Sequence, residues 1–115
     1  MKTLYPSEQF EGERFAEWLE SQGYLFSHLA QSTRTSNWGS KMKNKRAGVK
    51  PGVPDYLICL KSRRLLFVEL KKAKGGQVSL AQQSWLLQLN ICGAKAVLAR
   101  GAAEAIAAVE KEEQA

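Results

Sequence analysis

The sequence has little histidine and cysteine and no long apolar run. His28 is the only histidine among 115 residues, which excludes histidine-rich zinc sites and leaves a Ser-His-Asp triad with one possible base. The two cysteines, Cys59 and Cys92, have no metal-ligand spacing and imply no disulfide framework. No apolar stretch approaches the roughly 20 residues that cross a bilayer, and the first residues lack the apolar core of a signal peptide. We therefore expect a cytoplasmic protein without a membrane partner.

Acidic residues are absent from one long segment. Between Gln31 and Pro54 there is no Asp or Glu, and the six basic residues there equal the formal net charge of +6 of the whole chain. Such a balance suggests a polyanionic partner, and cations beside an aromatic residue suit phosphate contact and base stacking. Because long loops in compact domains are often functional, we predict a substrate-binding loop over 31–52 rather than a solvated flexible loop. Together with a later turn, it would supply these nucleic-acid-binding residues: Arg34, Trp38, Lys41, Lys43, Lys45, Arg46, Lys50, Lys72 and Lys74.

Length and hydrophobic periodicity predict a single α/β domain over residues 1–115. A chain of this size can bury one core and has no room for a second. Apolar spacing and turn residues predict a helix from Glu8 to Gln22, a strand over 24–30, two strands around the turn 61–64, a helix from Leu80 to Ile91, a strand over 95–99 and a helix over 101–112. The order α-β-loop-β-β-α-β-α gives a small mixed β-sheet flanked by helices.

The functional interpretation depends on the two strands around Lys61 to Arg64. Side chains alternate along a strand, so Glu69 and Lys71 project from the same side and hold a carboxylate beside an ammonium. If the strands pair as an antiparallel hairpin, Asp55 at the start of the first lies near Glu69 at the end of the second. Two neighbouring carboxylates resist ionisation unless a cation lies between them, and such oxygen ligands suit Mg²⁺ or Mn²⁺. The hairpin therefore predicts a divalent-metal site.

A third carboxylate can come from the first helix. Glu11 lies four residues before Phe15 and seven before Trp18, which places it on the core-facing side. Glu8 lies three residues earlier and shares that side. Both also fit as acids stabilised by the helix dipole, although Glu11 lies beyond the first turn where that effect is strongest. We therefore predict Glu11 as a further metal ligand, with Glu8 as the second choice.

Two other polar side chains belong to the candidate set. Gln82 precedes Trp85 by three residues and Leu86 by four, so it faces inward near the strand that carries Glu69. Its amide needs partners, either the neighbouring backbone or the water and phosphate of a site, and we include it among the catalytic candidates. His28, on the first predicted strand, fits a structural or substrate-facing role better than a ligand role.

These residues resemble a known family. Pro54-Asp55, thirteen intervening residues and Glu69-Leu70-Lys71 are similar to the PD-(D/E)xK nuclease signature. The surrounding blocks resemble the VRR-NUC branch, in its short stand-alone form found in phages and bacteria. Those blocks are Gly48-Val49-Lys50-Pro51-Gly52-Val53-Pro54-Asp55, Glu69-Leu70-Lys71-Lys72, Gly76-Gln77-Val78-Ser79-Leu80-Ala81-Gln82 and Trp85-Leu86.

The resemblance implies a restriction-endonuclease-like core and a role for each matching residue. Asp55 and Glu69 would ligate the metal, the backbone carbonyl of Leu70 would add a ligand, and Lys71 would orient or polarise the attacking water. Gln82 matches the glutamine of a Ser-x-x-Gln block. A glutamate of the first helix completes the site in this family, but Gly12 departs from the Gln that relatives often carry just after this stretch, so its register stays open between Glu11 and Glu8.

The implied function is divalent-metal-dependent hydrolysis of DNA. Stand-alone relatives are dimers that cut branched DNA such as four-way junctions, so we expect a homodimeric, structure-selective endonuclease that uses Mg²⁺ or Mn²⁺. Two alternatives remain at this point. One is a DNA-binding module without catalysis, whose converging ionisable groups would then incur a desolvation cost without a function. The other is a nuclease acting on RNA, because phosphate contacts do not report the sugar.

Overall fold

A computed structural model describes residues 5–29 and 37–115, which form helices and strands in the predicted α/β arrangement. None of the helices in these ranges is long and apolar enough to cross a membrane. The elements, in chain order, are α1 (Glu8–Ser21), β1 (Leu25–His28), α2 (Trp38–Arg46), β2 (Tyr56–Cys59), β3 (Leu65–Lys71), α3 (Leu80–Ile91), β4 (Lys95–Arg100) and α4 (Ala102–Glu113).

The first helix forms as its sequence predicts. The Ser7 side chain caps it by accepting a hydrogen bond from the Phe10 amide at 3.0 Å. Phe15 and Leu19, four residues apart on the inward face, are fully buried. Gly23 follows with φ of 77°, a left-handed conformation that ends the helix and that glycine adopts without steric cost.

The four strands form one mixed sheet in the order β1-β2-β3-β4. β1 pairs antiparallel with β2, and β2 pairs antiparallel with β3, so the predicted hairpin is confirmed. β3 and β4 are parallel, because α3 carries the chain back across the sheet between them. The register sets Tyr56 opposite Val68, which places Asp55 and Glu69 next to each other at one end of the hairpin.

The core lies between one face of the sheet and the helices α1 and α4. Phe15 and Leu19 from α1 pack with sheet residues Ile58, Leu66 and Val68, all fully buried. The rings of Phe15 and Tyr56 meet edge to face, with their centroids 5.2 Å apart. This packing fixes α1 over the end of β2 where Asp55 begins the hairpin, so the position of the first helix relative to the acids is set by the core.

The far end of the hairpin is anchored to the end of α4. The Glu113 carboxylate accepts hydrogen bonds from the amides of Lys61 and Ser62, at 2.8 and 3.0 Å, and from the hydroxyl of Tyr24 at 2.8 Å. Partial burial opposes ionisation, but these donors prevail and lower the pKa of Glu113 to about 2. The final residues, which lack a hydrophobic pattern of their own, therefore fix the turn of the hairpin.

The prediction of a loop throughout 31–52 is wrong for residues 38–46, which form α2. Asn37 caps this helix, its side chain accepting from the Ser40 amide at 2.8 Å, and Lys43, Lys45 and Arg46 lie in the last turn, where the helix dipole favours cations. No residue of α2 is buried. A helix that is polar on all sides has no apolar periodicity, which is why sequence analysis missed it.

Candidate active site

Asp55 is held in place by hydrogen bonds to its side chain and backbone. It follows the buried Pro54 at the start of β2 and is itself only 5% exposed. The Leu70 amide donates to Asp55 Oδ2 at 2.9 Å, and the Leu29 amide donates to the Asp55 carbonyl at 2.6 Å. These contacts connect Asp55 to β1 and β3 at once, so its carboxylate is preorganised beside the end of β3.

Glu69 lies beside it and is 1% exposed. Both Glu69 oxygens are buried without a hydrogen-bond donor among the described residues. Their close neighbour is the Asp55 carboxyl, and the two groups can form a hydrogen bond only if one of them carries a proton. Burying acceptors without partners is costly, so this pair calls for a shared proton or a cation.

The electrostatics of the pair follow from this geometry. Burial raises the pKa of Glu69 well above its usual range, and the adjacent Asp55 raises it further. The Lys71 ammonium lowers the pKa of Glu69, and the Glu8 carboxylate raises it. The four side chains are therefore close enough to influence one another, and the site favours bound positive charge.

Lys71 ends β3 with only 9% of its surface exposed. The turn that follows is held by Arg100, whose guanidinium donates to the Gly75 carbonyl at 2.5 Å and to the Gly76 carbonyl at 3.2 Å. Arg100 is the β4 partner of Lys71 in the parallel register. No sequence motif points to Arg100, because the pairing of β3 with β4 is not encoded in any local pattern.

The structure separates the two glutamates of α1. Glu8 lines a cavity together with Asp55, and its Oε1 atom is buried without a hydrogen-bond partner among the described residues. Glu11 is buried at another place: a Cβ added at Gly101 would lie 2.6 Å from Glu11 Oε2, which puts this carboxylate against the N-terminus of α4. The helix dipole favours a negative charge there. The geometry thus supports Glu8 rather than Glu11 as the third acid.

The cavity beside Asp55 has a volume of about 380 Å³ and opens to solvent between α1 and the ends of β1 and β2. His28 lies on its wall, with its ring centroid 4.9 Å from that of Tyr56. Burial raises the pKa of Tyr56, and the nearby carboxylates of Asp55, Glu8 and Glu13 raise it further, so its hydroxyl keeps its proton. The polar lining is made of Glu8, Gln9, Glu13, His28, Asp55 and Tyr56.

Gly12 leaves room for the Tyr56 hydroxyl, which gives a first prediction. A Cβ at position 12 would lie 2.7 Å from Tyr56 Oη, closer than real contacts allow. Gly12→Ala should therefore destabilise the protein by about 1–3 kcal/mol, despite the roughly 1 kcal/mol that alanine normally adds to a helix. In a Tyr56→Phe background the nearest contacts become ordinary ones, and Gly12→Ala should be neutral or stabilising. Urea unfolding of the four variants measures this, and equal effects in both backgrounds would contradict it.

Comparison with known proteins identifies the family of this chain. The model of the VRR-NUC domain matches residues 5–103. The chain belongs to the VRR-NUC family. This membership implies a nuclease-type, DNA-processing domain, and it confirms the resemblance inferred from the sequence blocks.

Solved structures show the same VRR-NUC fold. One, described as a VRR_NUC domain protein, superposes with a TM-score of 0.76 and 24% sequence identity, covering 93% of this chain and 88% of the other. A second, described as a VRR_NUC domain, gives a TM-score of 0.59 and 20% identity, covering 95% of this chain and 97% of the other. A comparison with curated proteins finds no match.

The other predicted residues of this VRR-NUC domain fall into two groups. Gln82 is half-buried and forms a capping box with Ser79, its Oε1 accepting from the Ser79 amide at 2.9 Å. The Gln82 amide thus finds its partner in the neighbouring backbone, which was the first of the two alternatives for this residue. A catalytic role for Gln82 stays a prediction.

Among the predicted nucleic-acid-binding residues, Arg34 lies outside the described residues. The remaining predicted nucleic-acid-binding residues are at least partly exposed: Trp38, Lys41, Lys43, Lys45, Arg46, Lys50, Lys72 and Lys74.

Proposed function

We propose that this VRR-NUC domain is an endonuclease that hydrolyses DNA phosphodiester bonds with Mg²⁺ or Mn²⁺. The observation that carries the proposal is the pair of buried Glu69 oxygens, which have no hydrogen-bond donor in the part of the chain that the structure describes and lie beside Asp55 and Lys71. A divalent cation satisfies such oxygens and offsets the repulsion between the two acids. The orphaned acceptors and the all-oxygen donor set both fit a hard cation.

The metal would be held by Asp55, Glu69 and the carbonyl of Leu70, with Glu8 rather than Glu11 adding negative charge beside them. Within residues 5–29 and 37–115, no group of three or more Asp, Glu, His or Cys side chains converges as a metal site by itself. Water and a substrate phosphate would therefore supply the other ligands, as Mg²⁺ commonly requires. A bound cation neutralises phosphoryl oxygens and makes hydroxide available near neutral pH.

Lys71 is the proposed catalytic cation. Its ammonium is mostly buried and close to Glu69, so it keeps a fixed position next to the reacting phosphate. There it would orient the attacking water and stabilise the charge that develops on the phosphoryl oxygens. Burial and the adjacent Asp55 raise the pKa of Glu69, so metal uptake, which needs the Glu69 carboxylate ionised, should release a proton.

The basic segment around α2 would hold the DNA. Trp38 is 75% exposed at the start of the helix, and α2 buries none of its residues. Next to the helix, Lys41, Lys45 and Lys50 border a hollow of about 330 Å³. Exposed cations with an adjacent aromatic suit phosphate contact and stacking on bases.

A homodimer is part of the proposal, because two sites are needed to cut two strands of a branched substrate. Support comes from α3, which has no buried residue although it is rich in leucine. Leu80, Leu87 and Ile91 are 83%, 59% and 66% exposed on this helix. Apolar side chains exposed on one element are typical of an interaction surface.

The experiment compares cleavage of labelled four-way junction, flap and linear duplex DNA by the purified protein. We expect cutting in Mg²⁺ or Mn²⁺, none in EDTA, and a rate on the four-way junction at least about tenfold above that on linear duplex. Light scattering on the same preparation should give twice the mass of one chain. Equal cleavage rates on all three substrates would contradict the proposed structure selectivity. Absence of cleavage in both metals would contradict the assignment as an endonuclease.

A further inference from the structure

The cavity beside Asp55 extends beyond the residues that are proposed to hold the metal. Its lining includes Asp55 and Leu70, two of the proposed metal ligands, and extends from them along α1 and across His28 and Tyr56. A chemical group that enters the cavity therefore lies directly beside a phosphate bound at the metal site. A volume of about 380 Å³ falls at the lower end of the range for small-molecule pockets and suits a single nucleoside, not a base pair.

The charge of the lining decides which part of a nucleotide fits. Glu8, Glu13 and Asp55 contribute carboxylates, and no Lys or Arg lines the cavity within residues 5–29 and 37–115. Where the cavity extends away from the metal ligands, beside Gln9 and Glu13, a phosphate would meet negative charge without the metal cation next to it. A neutral group with N–H donors would meet acceptors, so the cavity favours a nucleobase and leaves the phosphate to the metal site.

The remaining lining supplies the contacts that unstacked bases need. His28 is exposed at the cavity wall, and its ring packs against the buried ring of Tyr56, with the centroids 4.9 Å apart and the planes tilted by 49°. The open side of the His28 ring offers a surface on which a base of any sequence can stack. Gln9 donates to Glu13 Oε1 at 3.2 Å, which leaves the Gln9 amide oxygen and the second Glu13 oxygen as acceptors for exocyclic amino groups. Tyr56 is buried against Phe15, so its ring is held rigidly.

We propose that this cavity binds the unstacked nucleobase of the nucleotide that flanks the scissile phosphate. The inference rests on the proposed nuclease function and extends it, because it defines the substrate as DNA in which that base is free to leave the helical stack. Bases at branch points, flaps and single-stranded ends meet this condition at lower cost than bases inside a duplex. Selectivity for branched DNA would then arise within a single active site, independently of dimerisation.

The first test measures binding without cleavage. Four-way junctions carrying 2-aminopurine at successive positions around the branch are mixed with the protein in Ca²⁺, and the fluorescence of the probe is recorded. We expect a change at one position on each cut strand, lost in His28→Ala and kept in Ser27→Ala. Ser27 is the matched control, because it is the exposed neighbour of His28 on β1 and is not part of the cavity lining. If no position depends on His28, the proposal is overturned.

The second test uses cleavage. A single abasic nucleotide is placed at each position on either side of the mapped scissile bond. Wild-type protein should lose about tenfold in kcat/KM at one flanking position, in line with the stacking energy of one base. His28→Ala should lose a similar factor on intact DNA and show no further loss with the abasic substrate.

The two tests separate this proposal from the assignment of nuclease activity. Equal cleavage of intact and abasic DNA by the wild-type protein would overturn the base pocket while leaving the endonuclease assignment in place. Absence of cleavage on every substrate would overturn the endonuclease assignment, and the 2-aminopurine measurement would still decide whether the cavity binds a base.

Discussion

Asp55→Asn and Lys71→Ala should each reduce the rate of DNA cleavage by at least about 1,000-fold. The asparagine can still accept the hydrogen bond that the Leu70 amide gives Asp55 at 2.9 Å, so the strands stay joined while the negative charge for the cation is lost. Lys71→Ala removes the buried ammonium beside Glu69. Loss of one group that stabilises a developing charge commonly costs 10²–10³ in rate, and a metal ligand adds to this. Single-turnover cleavage of a four-way junction in Mn²⁺ measures the effect.

Lys74→Ala is the matched control for Lys71→Ala. Lys74 lies three residues further along the chain and is exposed, so its loss should weaken DNA binding slightly and leave single-turnover cleavage at saturating protein within about threefold of wild type. Fluorescence anisotropy in Ca²⁺ should show that Asp55→Asn and Lys71→Ala still bind the junction. Full cleavage activity in either variant would refute the assignment of the site.

Glu69→Gln should abolish metal binding and cleavage and, at the same time, stabilise the metal-free protein at alkaline pH. Burial, reinforced by Asp55, raises the pKa of Glu69 in the folded state above its ordinary value of 4.5. Such a group contributes stability below the unfolded pKa and loses that contribution as the pH rises through the folded pKa. The wild-type protein without metal should therefore lose stability as the pH rises above 4.5, with the loss extending into the alkaline range.

A neutral amide at position 69 removes this dependence of stability on pH, and its NH₂ group can donate a hydrogen bond to Asp55. We expect Glu69→Gln to raise the free energy of unfolding at pH 9 by about 1–2 kcal/mol, roughly 5–10 °C in Tm, and by much less at pH 5. Thermal unfolding in EDTA at a series of pH values measures this. Glu17→Gln, at an exposed position of α1, should show no such gain.

Metal binding provides an independent readout for the same residue. Calorimetric titration of the wild-type protein with Mn²⁺, in two buffers of different ionisation enthalpy, should show that binding releases a proton. Glu69→Gln should show no binding heat. If Glu69→Gln destabilised the metal-free protein at pH 9, the interpretation of Glu69 as a strained buried acid would be wrong, whatever the effect on cleavage.

The first helix shows how far local patterns determine a site. Helical spacing correctly predicted that Glu11 faces inward, and the residue is 6% exposed. Facing inward does not specify which part of the interior is reached, and Glu11 contacts the N-terminus of α4 near Gly101. Glu8, one turn earlier, lines the cavity with Asp55. The choice depends on the packing of Phe15 and Leu19, which sets the position of α1 along the sheet.

The sequence by itself determined the hairpin and its acids. Alternation along β3 and the turn over 61–64 were enough to bring Asp55, Glu69 and Lys71 together, because antiparallel pairing of adjacent strands is a local event. The bounds of α1 and α3 were likewise readable from Ser7, Ser79 and the apolar spacing. These features involve residues close in sequence, where dihedral preference, capping and side-chain period act directly.

Tertiary structure alone decided what lies around the hairpin. The helix within the basic segment, the contact of Arg100 with the turn after Lys71, and the clamp from Glu113 to the hairpin turn all involve either a polar surface or residues far apart in sequence. The cavity shared by Glu8, His28 and Asp55 also exists only when α1, β1 and β2 are assembled. Such contacts depend on how elements pack, and no residue pattern within one element encodes that geometry.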